Sequence, residues 1–484
     1  MIFISPYHTD FHVYQTALTT PPNYTRRYAR YAEINIPLYE KRISSFCVLL
    51  PHKKNGDMKN KGAQKHPVRW ILLSLLVVAL ICGGIYSYFG GFNKVKPIDT
   101  EEFAKYAKPV SDLTVREGVR IVALGEATHG NTEFQQLKLD VFKIMVEKYG
   151  VRAFALEGDY GCCEAVNRYI HGGKGTAEEA AAAIGFTIYR TKEMENLIEW
   201  MRKYNETAAE GDDLRFYGFD MQRYEYNYKY LLEAAKAYAL PTADLEKIWD
   251  KSTDGYSASY TSDQKAKVIE TVKQELLQLN DSTTAQAVHF ADVLLQNIAI
   301  GKVMDDMSKG IMLRDSLMFV NTHWIMAQEE ARGNECIFIT GHNGHIQCRH
   351  DYGKTGKAMG ALLSDELGEA YFAIGTDFYK ARVSLPKLTN KMKRSNHTFF
   401  SHDPLAEAAK KCGFETCWLD FSHIPEGTEL FFRVSDYTWL GDVGEGYNPL
   451  MAVLPMAYRD WDNPATLYDA MIFVTNARPI NILP

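Results

Sequence analysis

Five short apolar runs in this 484-residue chain end in polar or glycine-bracketed tips, and the tips hold most of its reactive side chains. Ile121-Val-Ala-Leu124 leads into Gly125-Glu126-Ala-Thr-His129-Gly130, and Ala153-Phe-Ala-Leu156 into Glu157-Gly-Asp159. Phe216-Tyr-Gly-Phe219 leads to Asp220, Ile337-Phe-Ile-Thr340 to Gly341-His342-Asn343-Gly-His345, and Tyr371-Phe-Ala-Ile374 to Gly375-Thr-Asp377. His129 three residues after Glu126 is the minimal general base, because a carboxylate fixes the imidazole tautomer and raises the basicity of the other nitrogen. A histidine in a loop is by itself more often a bystander. Glu157 at the next strand end makes the functional reading the stronger one.

His342 and His345, three apart on a turn, can both face inward as donors to an oxyanion or as metal ligands. Asn343 between them is grouped with the substrate-binding residues. Asp220 serves equally well as a substrate contact or as the cap of the following helix. No serine sits in a G-x-S-x-G elbow, so a serine nucleophile is missing. No P-loop or G-x-G-x-x-G follows the first strand, so nucleotide binding lacks its motif. Hydrolysis by an activated water is what remains. Two other readings stay open. Glu126, His129, Glu157, His342 and His345 are also a donor set for zinc or manganese in a metal-dependent hydrolase. A non-catalytic surface protein could keep the same fold to bind a ligand.

These tips need a scaffold that brings them together. Short β-rich apolar runs separated by helical patterns read as buried strands of a mostly parallel sheet flanked by helices, an α/β fold. Side chains just past the strand ends then converge on one crevice. Phe134, Leu137, Val141, Ile144 and Met145 form one apolar helical stripe that Gly150 ends. Helices follow over Glu164–Ile170, Thr176–Ile184 and Lys192–Tyr204. From about 224 to 332 the β signal disappears into long amphipathic stretches, a helical insertion placed to cap the strand ends and wall a pocket. Alternation resumes at Glu335 and runs to Tyr468–Val474. The domain covers 96–484.

The net charge of −6 and the absence of a basic stripe argue against a nucleic-acid partner. From Trp70 to Asn93 no residue is charged, and basic residues Lys59, Lys61, Lys65 and Arg69 precede that run. This predicts a transmembrane signal anchor over 70–92 after a basic cytoplasmic segment at 58–69, with the catalytic domain extracytoplasmic. Ile81 before Cys82 is too bulky for lipoprotein processing, which favours an uncleaved anchor. Residues 1–57 fit neither a signal peptide nor a domain. They read as non-native sequence ahead of a start at Met58, or as a short cytoplasmic tail. The eight cysteines include no C-x-x-C pair. Cys412 and Cys417 could pair outside the cell or remain buried thiols.

Taken jointly, several of these pieces are familiar. Gly125-Glu-Ala-Thr-His-Gly-Asn-Thr-Glu-Phe134 with Leu137-Lys138, Ala155-Leu-Glu157 and Tyr217-Gly-Phe-Asp-Met-Gln222 resemble motifs of the erythromycin esterase family. So do Leu313-Arg-Asp315, Gly341-His-Asn-Gly-His345 and Tyr468-Asp-Ala-Met-Ile-Phe473, in matching order over roughly residues 100 to 476. The resemblance implies hydrolysis of a macrolide lactone or similar ester, without metal or other cofactor, by a water that His129 deprotonates. Glu126 and Glu157 would orient His129 or the water. His342 and His345 would steady the oxyanion or protonate the departing alkoxide. Arg314 would face the site, and Lys138 stands where several esterases have arginine, a change that alters its hydrogen bonding. Resistance esterases of this family work in the cytoplasm, so the expected extracytoplasmic placement supports the chemistry better than it supports erythromycin as substrate.

Overall fold

The computed structural model describes residues 67–88, 97–248, 260–279, 281–352, 356–387 and 390–483. The chain divides into two units, Met1–Tyr88 and Phe89–Pro484. Of the first, only the helix Pro67–Tyr88 is described, and its 22 residues cover most of the expected anchor. Pro67, Arg69, Ser74, Gly83, Gly84 and Ser87 interrupt it, so its unbroken hydrocarbon shrinks to Leu75–Cys82. That is well short of the roughly 20 residues a bilayer core needs. No helix among the described residues is long and apolar enough to cross a membrane. This overturns the expected transmembrane anchor over 70–92, the membrane attachment and the extracytoplasmic placement that rested on it. Residues 1–66, which carry the expectations about the start and most of the basic segment, lie outside the described residues.

The second unit is built on an eight-stranded sheet. Its strands are β1 (Ile121–Glu126), β2 (Ala153–Asp159), β3 (Arg215–Asp220), β4 (Ile337–His342), β5 (Tyr371–Lys387), β6 (Asn390–Phe400), β7 (Thr416–Asp420) and β8 (Ala470–Ala477). In space they run β3-β2-β4-β1-β5-β8-β7, with β6 paired to β5. The six strands from β3 to β8 are mutually parallel, and only β6 and β7 are antiparallel to their neighbours. All residues of β1, β2 and β4 are buried, as expected of strands covered on both faces. Successive side chains alternate between two cores. Ile121, Ala123, Ile337, Ile339, Tyr371 and Ala373 pack on one face. Val122, Leu124, Phe338, Phe372 and Ile374 pack on the other, against Phe134, Leu137, Phe142 and Met145.

Those last four residues lie on α1 (Thr132–Tyr149), which stops at Gly150 in a left-handed conformation, φ 67°. Two more helices on this part of the chain are α2 (Tyr160–Ile170) and α3 (Lys192–Asn205). Between β3 and β4 the described residues form helices only, chiefly α4 (Glu225–Ala237), α5 (Ser262–Gln278), α6 (Ala285–Val303) and α7 (Met307–Ala331). Their apolar sides, including Leu231, Phe290, Leu294, Met318 and Ile325, bury the first face of the sheet.

One tip is not a strand end. β5 continues through Gly375-Thr-Asp377 to Lys387, because its second half is held by the antiparallel partner β6. Asp377 is consequently buried in mid-strand, where its carboxylate accepts from the backbone N–H groups of Phe378 and Gly441. Cys412 and Cys417 are both free thiols.

Candidate active site

Four adjacent strands, β3, β2, β4 and β1, carry Asp220, Glu157, His342 and Glu126 in a row at one edge of the sheet; three of these close their strands, and Glu157 stands two residues before the end of β2. The register is explicit at one end of the row, where Glu126 on β1 is the direct partner of His342 on β4. Two glycines permit this crowding. A Cβ on Gly341 would stand 2.9 Å from Glu157 Oε2, and one on Gly125 would collide with the Asn343 side chain.

At the Glu126 end the chain turns sharply. Thr128 Oγ1 accepts from the Gly130 N–H and donates to Asn131 Oδ1, which folds His129 back over its own strand. His129 Nδ1 meets Glu126 Oε1 at 2.7 Å. The other carboxylate oxygen, Oε2, receives Lys138 Nζ from α1 at 2.5 Å. Gln135, one turn earlier, donates to Lys138's partner Glu126 at 3.5 Å and to the His129 carbonyl at 3.4 Å. Burial would raise the Glu126 carboxyl, but Lys138 and then His129 outweigh it and hold it down at about 2. Burial would lower His129, yet Glu126 and then Glu157 draw it up to about 9. Glu126 is thus a fixed anion that favours the imidazolium form of His129.

A second charge cluster occupies the other end of the row. Arg314, on α7, donates from Nη2 to both Glu157 Oε1 and Asp220 Oδ2 at 2.7 Å, and from Nε to Asp220 Oδ1 at 3.1 Å. His345 completes it. Its Nδ1 lies 2.8 Å from Asp315 Oδ1, while Nε2 lies 3.0 Å from Arg314 Nη1 and 3.4 Å from Glu157 Oε1. The neutral ring accepts from Arg314, and the charged ring donates to Glu157. Burial opposes charging of His345, but Asp315 and Glu157 prevail and raise it. Burial pushes Glu157 up, but His345, Arg314 and His129 together hold it far below the usual carboxylate range. Glu157 also accepts the backbone N–H of His342 at 2.7 Å, which ties β2 to the end of β4.

His342 sits between the two clusters. Its ring centroid is 4.8 Å from that of His129. Burial and then the positive His129 depress it to about 3, so this imidazole is neutral at physiological pH. His342, His345 and Arg314 line an open cavity of about 380 Å³, closed on its far side by Asp442 and the segment 456–460.

The structure therefore brings Glu126, His129, Lys138, Glu157, Asp220, Arg314, His342 and His345 into one contiguous network. Asn343 is not part of it. Its amide donates to the Thr376 carbonyl at 2.7 Å and accepts the Thr376 N–H at 3.2 Å, clamping the end of β4 to β5 rather than facing a ligand. Asp220 is occupied by Arg314, by the Met221 N–H and by Gln222, so it braces the arginine. Among the described residues no group of three or more His, Cys, Asp or Glu side chains is arranged to hold a metal ion. The imidazole and carboxylate atoms face each other and the two cations.

The comparisons with known proteins bear on this arrangement. The erythromycin esterase family model matches residues 146–477, well over half of the chain. The chain belongs to the erythromycin esterase family. Erythromycin esterase type II of Escherichia coli is 23% identical over 353 residues, which cover 63% of this chain and 82% of that protein. A putative hydrolase of Bacillus subtilis, YbfO, is 22% identical over 318 residues, 57% of this chain and 68% of that one. Among solved structures, a Bacillus cereus protein superposes with a TM-score of 0.66 at 19% identity, covering 80% of this chain and 100% of the other. A mutant of the erythromycin esterase EreC in its open conformation gives 0.52 at 17% identity, with coverages of 76% and 93%. At these identities the structures establish a shared fold.

The family match takes in Glu157, Asp220, Arg314 and the His342–His345 turn, whereas Glu126, His129 and Lys138 precede it. Within this family framework, sequence reading overlooked Asp442 and Asp460, and it quoted Asp315 within Leu313-Arg-Asp315 without giving it a role. Asp442 follows Thr438–Gly441, a short strand paired with Arg459–Asp462. Trp439-Leu440 running into Gly441-Asp442 repeats the apolar-run-then-tip pattern of the other site residues, and was the available signal.

Proposed function

We propose that this erythromycin esterase family member hydrolyses a carboxylic ester or lactone with a water that His129 deprotonates. The observation that carries the reading is the 2.7 Å contact between Glu126 and His129 Nδ1. It sets the tautomer and leaves Nε2 as the proton acceptor, beside the neutral His342. A neutral imidazole keeps one N–H, which can donate to a developing oxyanion. Arg314 and His345 hold Glu157 as an anion, which stabilises the imidazolium that His129 becomes.

The charge state of His129 sets the pH behaviour. With its pKa drawn up to about 9, only about 1% of the ring is in the base form at pH 7. A base this strong is correspondingly better at taking the proton, and the fraction of the ring able to act as base grows as pH rises toward 9.

For substrate, the names of the E. coli and B. subtilis relatives, an erythromycin esterase and a putative hydrolase, support a small-molecule ester or lactone. A cavity of about 380 Å³ lies at the lower end of the range for small-molecule sites. The test is an ester panel that includes erythromycin, run on residues 95–484 with wild type against His129→Ala. Loss of at least about 100-fold in kcat/KM is expected. Undiminished turnover by the variant would remove His129 from the chemistry.

A further inference from the structure

In the mechanism above the departing alkoxide has only the proton that His129 took from water, or one from His345. His342, depressed to about 3, is a neutral ring whose single proton is not acidic. The far wall of the cavity offers two further carboxyl groups, outside the main sheet. Asp442 follows the strand Thr438–Gly441, and Asp460 lies on the paired strand Arg459–Asp462. Both line the cavity with His342, His345 and Arg314. The register sets Leu440 opposite Asp460, so Asp442 and Asp460 are diagonal neighbours on one face of the ribbon. A hydrogen bond between two such acids needs a proton on one of them, since two carboxylates only accept.

An independent feature points from the protein toward this pair. His342 is 9% exposed, and its Nε2 has no hydrogen-bond partner although it stands 3.2 Å from Asp442 Oδ1. The ring is thus in range of the acid pair but not bonded to it, as a relay open to a bound group would be. Burial, the first cause, lifts Asp442 to about 6, against the pull of Asp460, His129 and His345. Asp460 is exposed at the cavity mouth; partial desolvation there and then the Asp442 carboxylate raise it, against the pull of His350 and His342. Both directions bring protonation of the pair up toward neutral pH.

We propose that Asp442 and Asp460 share one proton and deliver it to the alkoxide leaving the tetrahedral intermediate, acting as the general acid opposite the base His129. The proposal rests on the hydrolytic reading of the site. Hydroxide formed at His129 adds to the carbonyl carbon. The C–O bond to the alcohol breaks as the carbonyl reforms, and the alcohol oxygen takes the carboxyl proton. His129 then holds the proton from water and the pair has lost one. Return of that proton past His342, whose ring adjoins both, restores the resting state.

An acid matters only when the leaving group is a poor one. The test compares ethyl butyrate with 4-nitrophenyl butyrate, which share an acyl group, in wild type, Asp442→Asn, Asp460→Asn and His129→Ala. Each Asp variant should lose about 100-fold or more in kcat/KM on the alkyl ester and less than about tenfold on the aryl ester. His129→Ala should lose both. Equal losses on the two esters, or none on the alkyl ester, overturn the general-acid role. Activity persisting in His129→Ala, or no hydrolysis by wild type, instead overturns the base reading. The pair can be judged separately by infrared difference spectra of wild type and Asp460→Asn. A protonated-carboxyl band that persists above about pH 5 and vanishes in the variant is expected, and its absence from wild type refutes the shared proton.

Discussion

Replacing Glu126 by Gln removes a charge that two buried cations share. Lys138 Nζ and Glu126 Oε2 are 2.5 Å apart with both side chains 1% exposed, and breaking one side of so buried a pair costs about 3–5 kcal/mol. His129 also loses its anchor. Its displacement from 6.5 to about 9 represents on the order of 3 kcal/mol of preference for the charged ring. The two losses do not add, because His129 can shed its proton, whereas Lys138 keeps only Gln135 Oε1 at 3.2 Å as a hydrogen-bond partner. The expected destabilisation near neutral pH is therefore the lysine's, about 3–5 kcal/mol. In wild type the raised His129 contributes stability that is complete below pH 6.5 and is lost as pH climbs through 9. Glu126→Gln should lack that alkaline decline. Urea unfolding across this range measures both effects, and the His129 ring-proton titration by NMR reports the pKa without reference to activity. Adding Lys138→Met should recover most of the stability, since a buried pair can be replaced by apolar side chains with little loss. A ring that still titrates near 9 in Glu126→Gln, or a double variant as unstable as the single one, would refute the charge account.

Arg314→Lys keeps the charge but cannot reach Asp220, Glu157 and His345 together. A loss of about 2–4 kcal/mol in stability and of about 100-fold in kcat/KM is expected, and a variant with wild-type kinetics contradicts the bracing role. Asn343→Ala unpairs the Thr376 backbone and should cost about 1–3 kcal/mol in thermal unfolding with KM unchanged. A change in KM with stability intact would return Asn343 to the ligand. Asp377 and Asp403 are both buried carboxyls in the core, and burial raises both. A raised carboxyl makes stability fall as pH rises above its ordinary 3.8. Asp403→Asn should flatten that decline above about pH 4, and an unaltered pH–stability curve would show that the pair carries no such strain.

The strands were legible because a parallel sheet covered on both faces demands unbroken apolar runs, and each run lies inside one of β1 to β4, which continue one to three residues beyond it into the tips. Period and glycine placement likewise located α1 and its end at Gly150. Pairing is a different matter. Nothing in Phe338 or Val122 states that β4 lies between β1 and β2, because strand order depends on contacts hundreds of residues apart. The fifth tip misled for the same reason: only the pairing of β5 with β6 shows that Gly375-Thr-Asp377 is mid-strand. The N-terminal helix misled in another way. The absence of charge was weighed as hydrocarbon, although glycine and serine interrupt it. Among site residues, the imidazoles and glutamates were visible at strand ends. Asn343 shares their tip but points to β5, and orientation at a turn is not encoded by spacing. Asp442 and Asp460 were hidden because they approach the site from a two-stranded ribbon outside the main sheet.

The order Asp220, Glu157, His342, Glu126 across four neighbouring strand ends explains why one histidine in the site differs from the other two. Adjacent strands are about 4.8 Å apart, so His342 cannot avoid both neighbouring clusters. His129 and His345 each have a carboxylate at hydrogen-bond distance on Nδ1, and both are raised. His342 has none at that distance in bonding geometry, and its Nδ1 faces only the Gly344 N–H at 3.4 Å. Burial and then the positive His129 beside it keep it neutral. A slip of β4 by one residue would put Gly341 or Asn343 in the row and turn every β4 side chain to the opposite face. Gly341 guards against this, since Glu157 occupies the space a side chain there would need. The neutrality of His342 is thus a property of strand register rather than of histidine, and Gly341→Ala should disturb it by displacing Glu157 before it disturbs the fold.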